Sequence, residues 1–253
     1  MIKFFRKIRQ QLIEEGKVRK YLVYALGEIL LVVVGILIAL QVNNWNQEKK
    51  KRIVEEELLQ ALSQEFNYNL EQAKLVTDLL NTVKSNMILM LQFTGPDYNH
   101  ISVQKFEELI SETGKDELEY HPSIGVVQDI INAGQLNNIS NTDLRRKLAS
   151  WESKLRKLDN QEKIVESYRE GIKDITIENG NMVNLFINVG LPEFKNMDSS
   201  AFTTDPRVML ASQKLENLIA YKLAATNSLE ANYLDLEKEI QEILALLEQE
   251  INH

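Results

Sequence analysis

The chain of 253 residues contains no cysteine, only three histidines and only four prolines. The lack of cysteine excludes disulfides, thiolate metal sites and cysteine nucleophiles, and it lets a domain fold in an oxidising periplasm without pairing errors. The histidines are His100, His121 and His253, and no two of them stand at a metal-ligand spacing. The sequence therefore predicts no metal site.

No catalytic constellation is recognisable either. Acid pairs such as Glu107/Glu108 and Asp116/Glu117 are common on helix surfaces and in loops, and they serve acid–base chemistry only when their environments separate their pKa values. We therefore predict a non-enzymatic protein with no catalytic residues and no cofactor.

Positive charge is scarce in most of the chain. Residues 1–52 hold 11 Lys and Arg against 4 Asp and Glu, whereas residues 53–253 hold 18 against 33. Because phosphate binding needs a basic face, the large acidic part is not expected to bind nucleic acid.

One apolar run, residues 21–42, contains a single charged side chain, that of Glu28. As a helix these residues would extend about 33 Å, enough to cross a hydrocarbon core of about 30 Å. Fourteen of them are Leu, Val or Ile, and together they offset the roughly 2.5 to 3.5 kcal/mol cost of one charge at mid-membrane. The run is too long for a typical signal-peptide core and no cleavage motif follows it, so it predicts a retained single span.

Basic residues set the predicted orientation. Seven precede the span and four follow it, starting at Lys49. The positive-inside rule then places residues 1–20 in the cytoplasm and residues 43–253 on the other side of the membrane, in the periplasm. Phe4, Phe5 and Ile8 form an apolar stripe among basic residues, typical of a helix lying in the lipid headgroup layer, although a disordered basic tail would also set the topology. Predicted interfacial anchors are Phe4, Phe5, Ile8, Tyr21 and Trp45.

Heptad-like apolar spacing dominates residues 53–253 and predicts an all-α fold, an elongated antiparallel helical bundle or coiled coil. No Pro or Gly occurs between Val42 and Thr94, so the membrane helix is predicted to continue outward. The predicted long helices are 43–92, 141–176 and 205–251, and the predicted short helices are 102–112 and 123–133. Within residues 177–204, the stretch 182–189 could form a helical turn or a short strand, and periodicity does not decide between them. We interpret the whole segment as a loop that packs over one end of the bundle.

One face of the membrane helix carries Glu28, Val32, Gly35, Ala39 and Val42. Gly35 and Ala39 permit the close approach of a second helix, and a glutamate that faces lipid is costly. This face therefore predicts a homo-oligomer, or else contact with an unidentified membrane or periplasmic protein. The rest of the membrane helix is expected to contact lipid. The apolar stripe of the bundle includes Asn69, which could fix the register between chains or face solvent.

Two functions are compatible with this pattern. The first is a self-associating scaffold or interaction module in the periplasm, in which Glu28 holds the assembly together. The alternative is an ion-coupled or channel-like membrane component that uses Glu28 for proton or ion coupling.

The first fifty residues also resemble a known family. Gly27-Glu28-Ile29, the segment 35–41 and the segment 43–46 (Asn-Asn-Trp-Asn) are similar to the N-terminal signature of an uncharacterised membrane-anchored family of Flavobacterium-like Bacteroidota. Residues 133–148 resemble it more weakly. The resemblance implies a Gram-negative inner membrane and a domain of unknown function, and it implies no activity.

Overall fold

A computed structural model describes residues 18–98, 100–114 and 120–252. Within these ranges the chain is all-α, as predicted, with six α-helices, three short 3-10 helices and no strand. The chain divides into two compact units, an N-terminal unit of Met1–Glu57 and a bundle unit of Leu58–His253.

Helix α1 spans Val18–Leu91 and contributes to both units. It contains no proline, and its only glycines are Gly27 and Gly35 in the apolar run. The helix ends where the amides of Gln92 and Phe93 bond to carbonyls three residues back instead of four. Gly95 follows with a φ of +139°, a conformation that L side chains rarely adopt.

Two short helices follow α1. Helix α2 is Val103–Thr113, and the Ser102 hydroxyl caps it by accepting a hydrogen bond from the Lys105 amide at 3.1 Å. Helix α3 is Gly125–Asn132, followed by a 3-10 helix at Gln135–Asn138. Gly134 separates the two at a φ of +66°.

Helix α4 spans Thr142–Asn179 and is capped by Asn141, which accepts hydrogen bonds from the amides of Asp143 and Leu144 at 3.0 and 2.9 Å. The prediction of a loop over 177–204 is wrong in part. Helix α5 occupies Met182–Asn188 and a 3-10 helix occupies Pro192–Phe194. The Asn181 side chain caps α5, which gives this short apolar segment a helix start that periodicity alone did not show.

The last long helix, α6, spans Gln213–Ile251 rather than starting at Asp205-Pro206 as predicted. Asp205 and Pro206 instead begin a 3-10 helix, Pro206–Ala211, and Ser212 caps α6 by accepting from the Leu215 amide. A capping acid followed by proline therefore begins a short 3-10 helix here, and the predicted start of the long helix at residue 205 is eight residues too early.

Two adjoining apolar clusters form the core of the bundle unit. One contains Leu59–Leu80 of α1 with Leu144–Val165 of α4 and Leu229–Leu247 of α6. The other contains Val83–Met90 of α1 with Ile172 and Ile175 of α4, Leu215 and Ile219 of α6, and the buried side of α2. Helices α1 and α4 therefore run parallel, whereas α6 runs antiparallel to both.

Cross-helix polar pairs show the same directions. On α1 and α6, the Thr77 hydroxyl donates to Glu237 at 2.6 Å, and the Lys84 ammonium pairs with Glu230 at 2.5 Å. A step of seven residues up α1 thus matches a step of seven down α6. The segment with α2 and α3 is the crossover that allows α4 to start beside the beginning of the bundle part of α1.

Candidate functional sites: an exposed membrane-helix face and a polar layer in the bundle

The predicted assembly face lies on the N-terminal part of α1. Glu28, Val32, Gly35, Ala39 and Val42 are spaced by three and four residues on one continuous helix, which places them on one side of it. Val32 and Val42 are each 58% exposed, and a Cβ built on Gly35 would meet no atom within 4 Å. Among the described residues of this face, Val32, Gly35, Ala39 and Val42 are exposed and Glu28 is half-buried.

Of the predicted anchors, Trp45 is 66% exposed on α1. Tyr21 lies within α1 but its side chain is outside the described part, and so are Phe4, Phe5 and Ile8 with the rest of segment 1–17.

Helix α1 is the one described helix that is long and apolar enough to cross a membrane. Its most apolar window of 18 residues has a mean hydropathy of 2.5, and none of that window is buried. A core helix of a soluble bundle would bury such a window. By length and composition, this segment could therefore cross a membrane.

Inside the bundle unit, α1 organises the start of α3 through two buried polar side chains. The Glu65 carboxylate accepts hydrogen bonds from the amides of Val126 at 2.8 Å and Val127 at 3.1 Å, and from the Ser123 hydroxyl at 3.0 Å. Because α3 has no cap of its own, Glu65 caps it from another helix and places negative charge at its positive end.

Asn69 is also buried and bonds to the backbone of Ser123 in both directions, each at 2.7 Å. The interpretations that it sets the register between chains or faces solvent are both wrong. It sets a register within the chain, between α1 and the segment before α3.

A tyrosine pair continues this polar region across α4 and α6. The Tyr233 hydroxyl and the Tyr120 amide both donate to Glu162 of α4, and the Tyr120 hydroxyl donates to the Asn69 carbonyl at 3.2 Å. Burial raises the pKa of Tyr120 well above 10, and the nearby Tyr68 and Glu162 raise it further. Tyr120 therefore stays neutral and acts as a hydrogen-bond donor.

The most unusual group of the bundle is Lys222 of α6, which is fully buried. Its ammonium donates to the Thr113 carbonyl at the end of α2. The pKa of Lys222 is lowered from 10.5 to about 8, mainly by burial and also by the neighbouring charge of Arg169, while Glu166 acts in the opposite direction. Burial of the charged amine costs free energy. With a pKa of about 8, the amine changes its protonation state near physiological pH.

Arg169 of α4 lies beside Lys222 and is 7% exposed. Its guanidinium pairs with Glu166 through two nitrogens and with Glu170 at 2.8 Å. The hydrogen bond from Arg169 holds the pKa of Glu166 below its usual range, despite partial burial that acts in the opposite direction.

A cleft of about 660 Å³ opens next to Arg169, between α2, α4 and α5. Its described walls are mainly apolar, and the charged side chains among the described lining residues are those of Arg169 and Lys173. We call it the α2–α4–α5 cleft.

Sequence reasoning missed this polar layer. Apolar spacing does not show that inward positions of α6 and α4 are occupied by Lys222 and Arg169, which are 0% and 7% exposed. Steps of three and four residues from Ile219 to Leu229 pass through Lys222 and Thr226, so strict counting along the helix would have found them.

Among the described residues, no three His, Asp or Glu side chains are placed to hold a metal ion. Comparisons with protein-family models, with curated proteins and with solved structures found no match to this chain.

Proposed function

We propose that this protein is a non-enzymatic, membrane-anchored interaction module. In this proposal the apolar part of α1 spans a bacterial inner membrane and copies of the chain associate through the face of Glu28, Val32, Gly35, Ala39 and Val42. The observation that carries the proposal is that none of the apolar window of α1 is buried. The resemblance of the first fifty residues to a membrane-anchored family agrees with this placement.

The anchor is tested by separating cell membranes and extracting them at alkaline pH. We expect the protein to stay in the membrane fraction, with an intact mass that includes residues 1–42. A soluble protein, or a mass that begins after the apolar run, would identify a cleaved signal sequence and contradict the anchor.

The bundle unit is proposed to be periplasmic, because seven basic residues precede the span and four follow it. The cysteine-free chain allows a clean test, with one cysteine introduced at exposed Lys214 of α6. A membrane-impermeant maleimide should label it in intact spheroplasts. Labelling only after lysis would show the opposite orientation.

Self-association is supported by the chemistry of the exposed face. A carboxyl group near mid-membrane favours association when it packs against a second helix rather than lipid, and Gly35 leaves open space for that helix. Native mass measurement in mild detergent should show an oligomer, which Gly35→Leu or Ala39→Leu weakens. Leu30→Phe and Leu37→Phe add bulk on the opposite side of the helix and should leave the oligomer unchanged. A monomer for the unmodified chain would contradict self-association.

A further inference from the structure

The α2–α4–α5 cleft has the size and chemistry of a small-molecule site. Its volume of about 660 Å³ falls within the range of about 300–1,000 Å³ that is usual for ligand pockets. We propose that it binds a long-chain fatty acid, with the hydrocarbon chain along the apolar walls and the carboxylate at Lys173.

The apolar walls suit a flexible hydrocarbon chain. Ile172 of α4 and Leu185 of α5 form part of the buried core, whereas Ile177 is 58% exposed at the edge of the cleft. The Phe186 ring packs against Phe194 with ring centroids 4.9 Å apart, which fixes one wall. Apolar surface left open to water in this way binds a hydrocarbon chain through the hydrophobic effect.

The charges of the cleft select an anionic head group. Arg169 and Lys173 line the cleft and no acidic side chain does, within the part of the chain that the structure describes. Among nearby acids, Glu166 and Glu170 pair with Arg169, Glu170 also lies 3.3 Å from the Lys173 ammonium, and Glu107 accepts from the Asn188 amide group at 2.6 Å. The described lining therefore offers an anion two cationic side chains and no acidic one.

Lys173 is the group that meets the carboxylate. Its side chain is 50% exposed, and its ammonium lies 3.3 Å from Glu170, a longer contact than the 2.8 Å between Arg169 and the same carboxylate. One half-exposed ammonium matches a head group of one negative charge. The Arg169 guanidinium already pairs with the carboxylates of Glu166 and Glu170. It is therefore not proposed to bind the fatty-acid carboxylate directly.

The test uses the full-length protein in phospholipid vesicles with a palmitate that carries a photoactivatable diazirine near the end of its chain. After illumination, peptide mass spectrometry locates the label. The proposal predicts labelled peptides from residues 172–191, in addition to any on the membrane helix. Excess oleate should remove the cleft label. Methyl oleate and a lysophosphatidylcholine should compete at least about tenfold less well, because they lack the free carboxylate.

Two exposed isoleucines on α4 provide a matched pair of variants. Ile177→Glu places an acid in the cleft and should abolish the label there, whereas Ile164→Glu makes the same change outside it and should not. Lys173→Gln should weaken oleate competition about tenfold, and Lys173→Arg should restore it. Circular dichroism checks that each variant is folded.

Three results would overturn the proposal: no label within 172–191, equal loss in both isoleucine variants, or competition by methyl oleate or the lysolipid as strong as that by oleate. The described lining of the cleft lies within the bundle unit. The result of the labelling test is therefore independent of whether α1 spans a membrane or self-associates.

Discussion

Replacement of the buried lysine, Lys222→Met, should change how the stability of the bundle depends on pH. In the folded chain the pKa of Lys222 is about 8, against 10.5 in the unfolded chain. Between these values the unfolded state binds more protons, so the stability that depends on this group rises with pH. Below about pH 8 both states are protonated and the cost of burying the charge is fully present.

The magnitude follows from the difference between 10.5 and about 8. At about 1.4 kcal/mol for each pH unit, the buried charge costs on the order of 3 kcal/mol at neutral pH. Methionine removes this cost but leaves the Thr113 carbonyl without the ammonium donor, which costs about 1–3 kcal/mol. We expect Lys222→Met to be neutral or up to about 2 kcal/mol more stable at pH 7, and less stable than the unmodified chain near pH 10.5.

Urea unfolding of the full chain in mild detergent, followed by circular dichroism from pH 7 to 10.5, measures this difference. Lys214→Met is the matched control, because Lys214 is exposed on the same helix. The stability difference for Lys222→Met should shift by about 3 kcal/mol over the range, and that for Lys214→Met should stay near zero. A pH-independent difference for Lys222→Met would refute the reasoning.

Three further predictions concern Glu65, Gly180 and Glu28. Glu65→Ala removes the cap of α3 and should destabilise the bundle by about 2–3 kcal/mol in urea unfolding, whereas exposed Glu71→Ala should change little; equal effects would contradict the capping role. Gly180→Ala would bring a Cβ within 2.5 Å of the Thr176 carbonyl and should cost about 1–3 kcal/mol, whereas Gly125→Ala, with its nearest atom at 4.0 Å, should be tolerated; a neutral Gly180→Ala would show that the α4–α5 junction can move. Glu28→Gln keeps the shape of the side chain and should preserve the oligomer in native mass measurement; loss of proton flux in vesicles with assembly intact would favour the ion-coupled alternative instead.

Apolar spacing was enough to predict the class of the fold and the three long helical segments. The inward-facing positions of α1, α4 and α6 are mostly Leu, Ile and Val. Apolar residues spaced by three and four predict a helix with one buried face. The directions of the helices were not predictable in the same way. Helices α1 and α4 run parallel because the crossover through α2 and α3 is long, and the sequence signals along it mark helix ends but not where those helices pack.

The polar layer was hidden for a physical reason. A lysine or arginine at an inward position reads as a surface residue until its partner is known, and the partners of Lys222 and Asn69 lie 109 and 54 residues away. Glu65 likewise looks like a solvent-facing acid beside the stripe of α1. Its role as a cap appears only when α3, which has no cap residue of its own, is placed against it.

The proposed anchor and assembly can be tested together by single cysteines introduced along residues 25–42 of this cysteine-free chain. Disulfide cross-linking in native membranes should give dimers at Val32, Gly35 and Ala39 and little at Leu30 and Leu37, repeating every three to four residues. Cross-linking that is uniform around the helix, strongest on the side of Leu30 and Leu37, or absent from the membrane fraction would contradict a membrane helix that assembles through the Glu28 face.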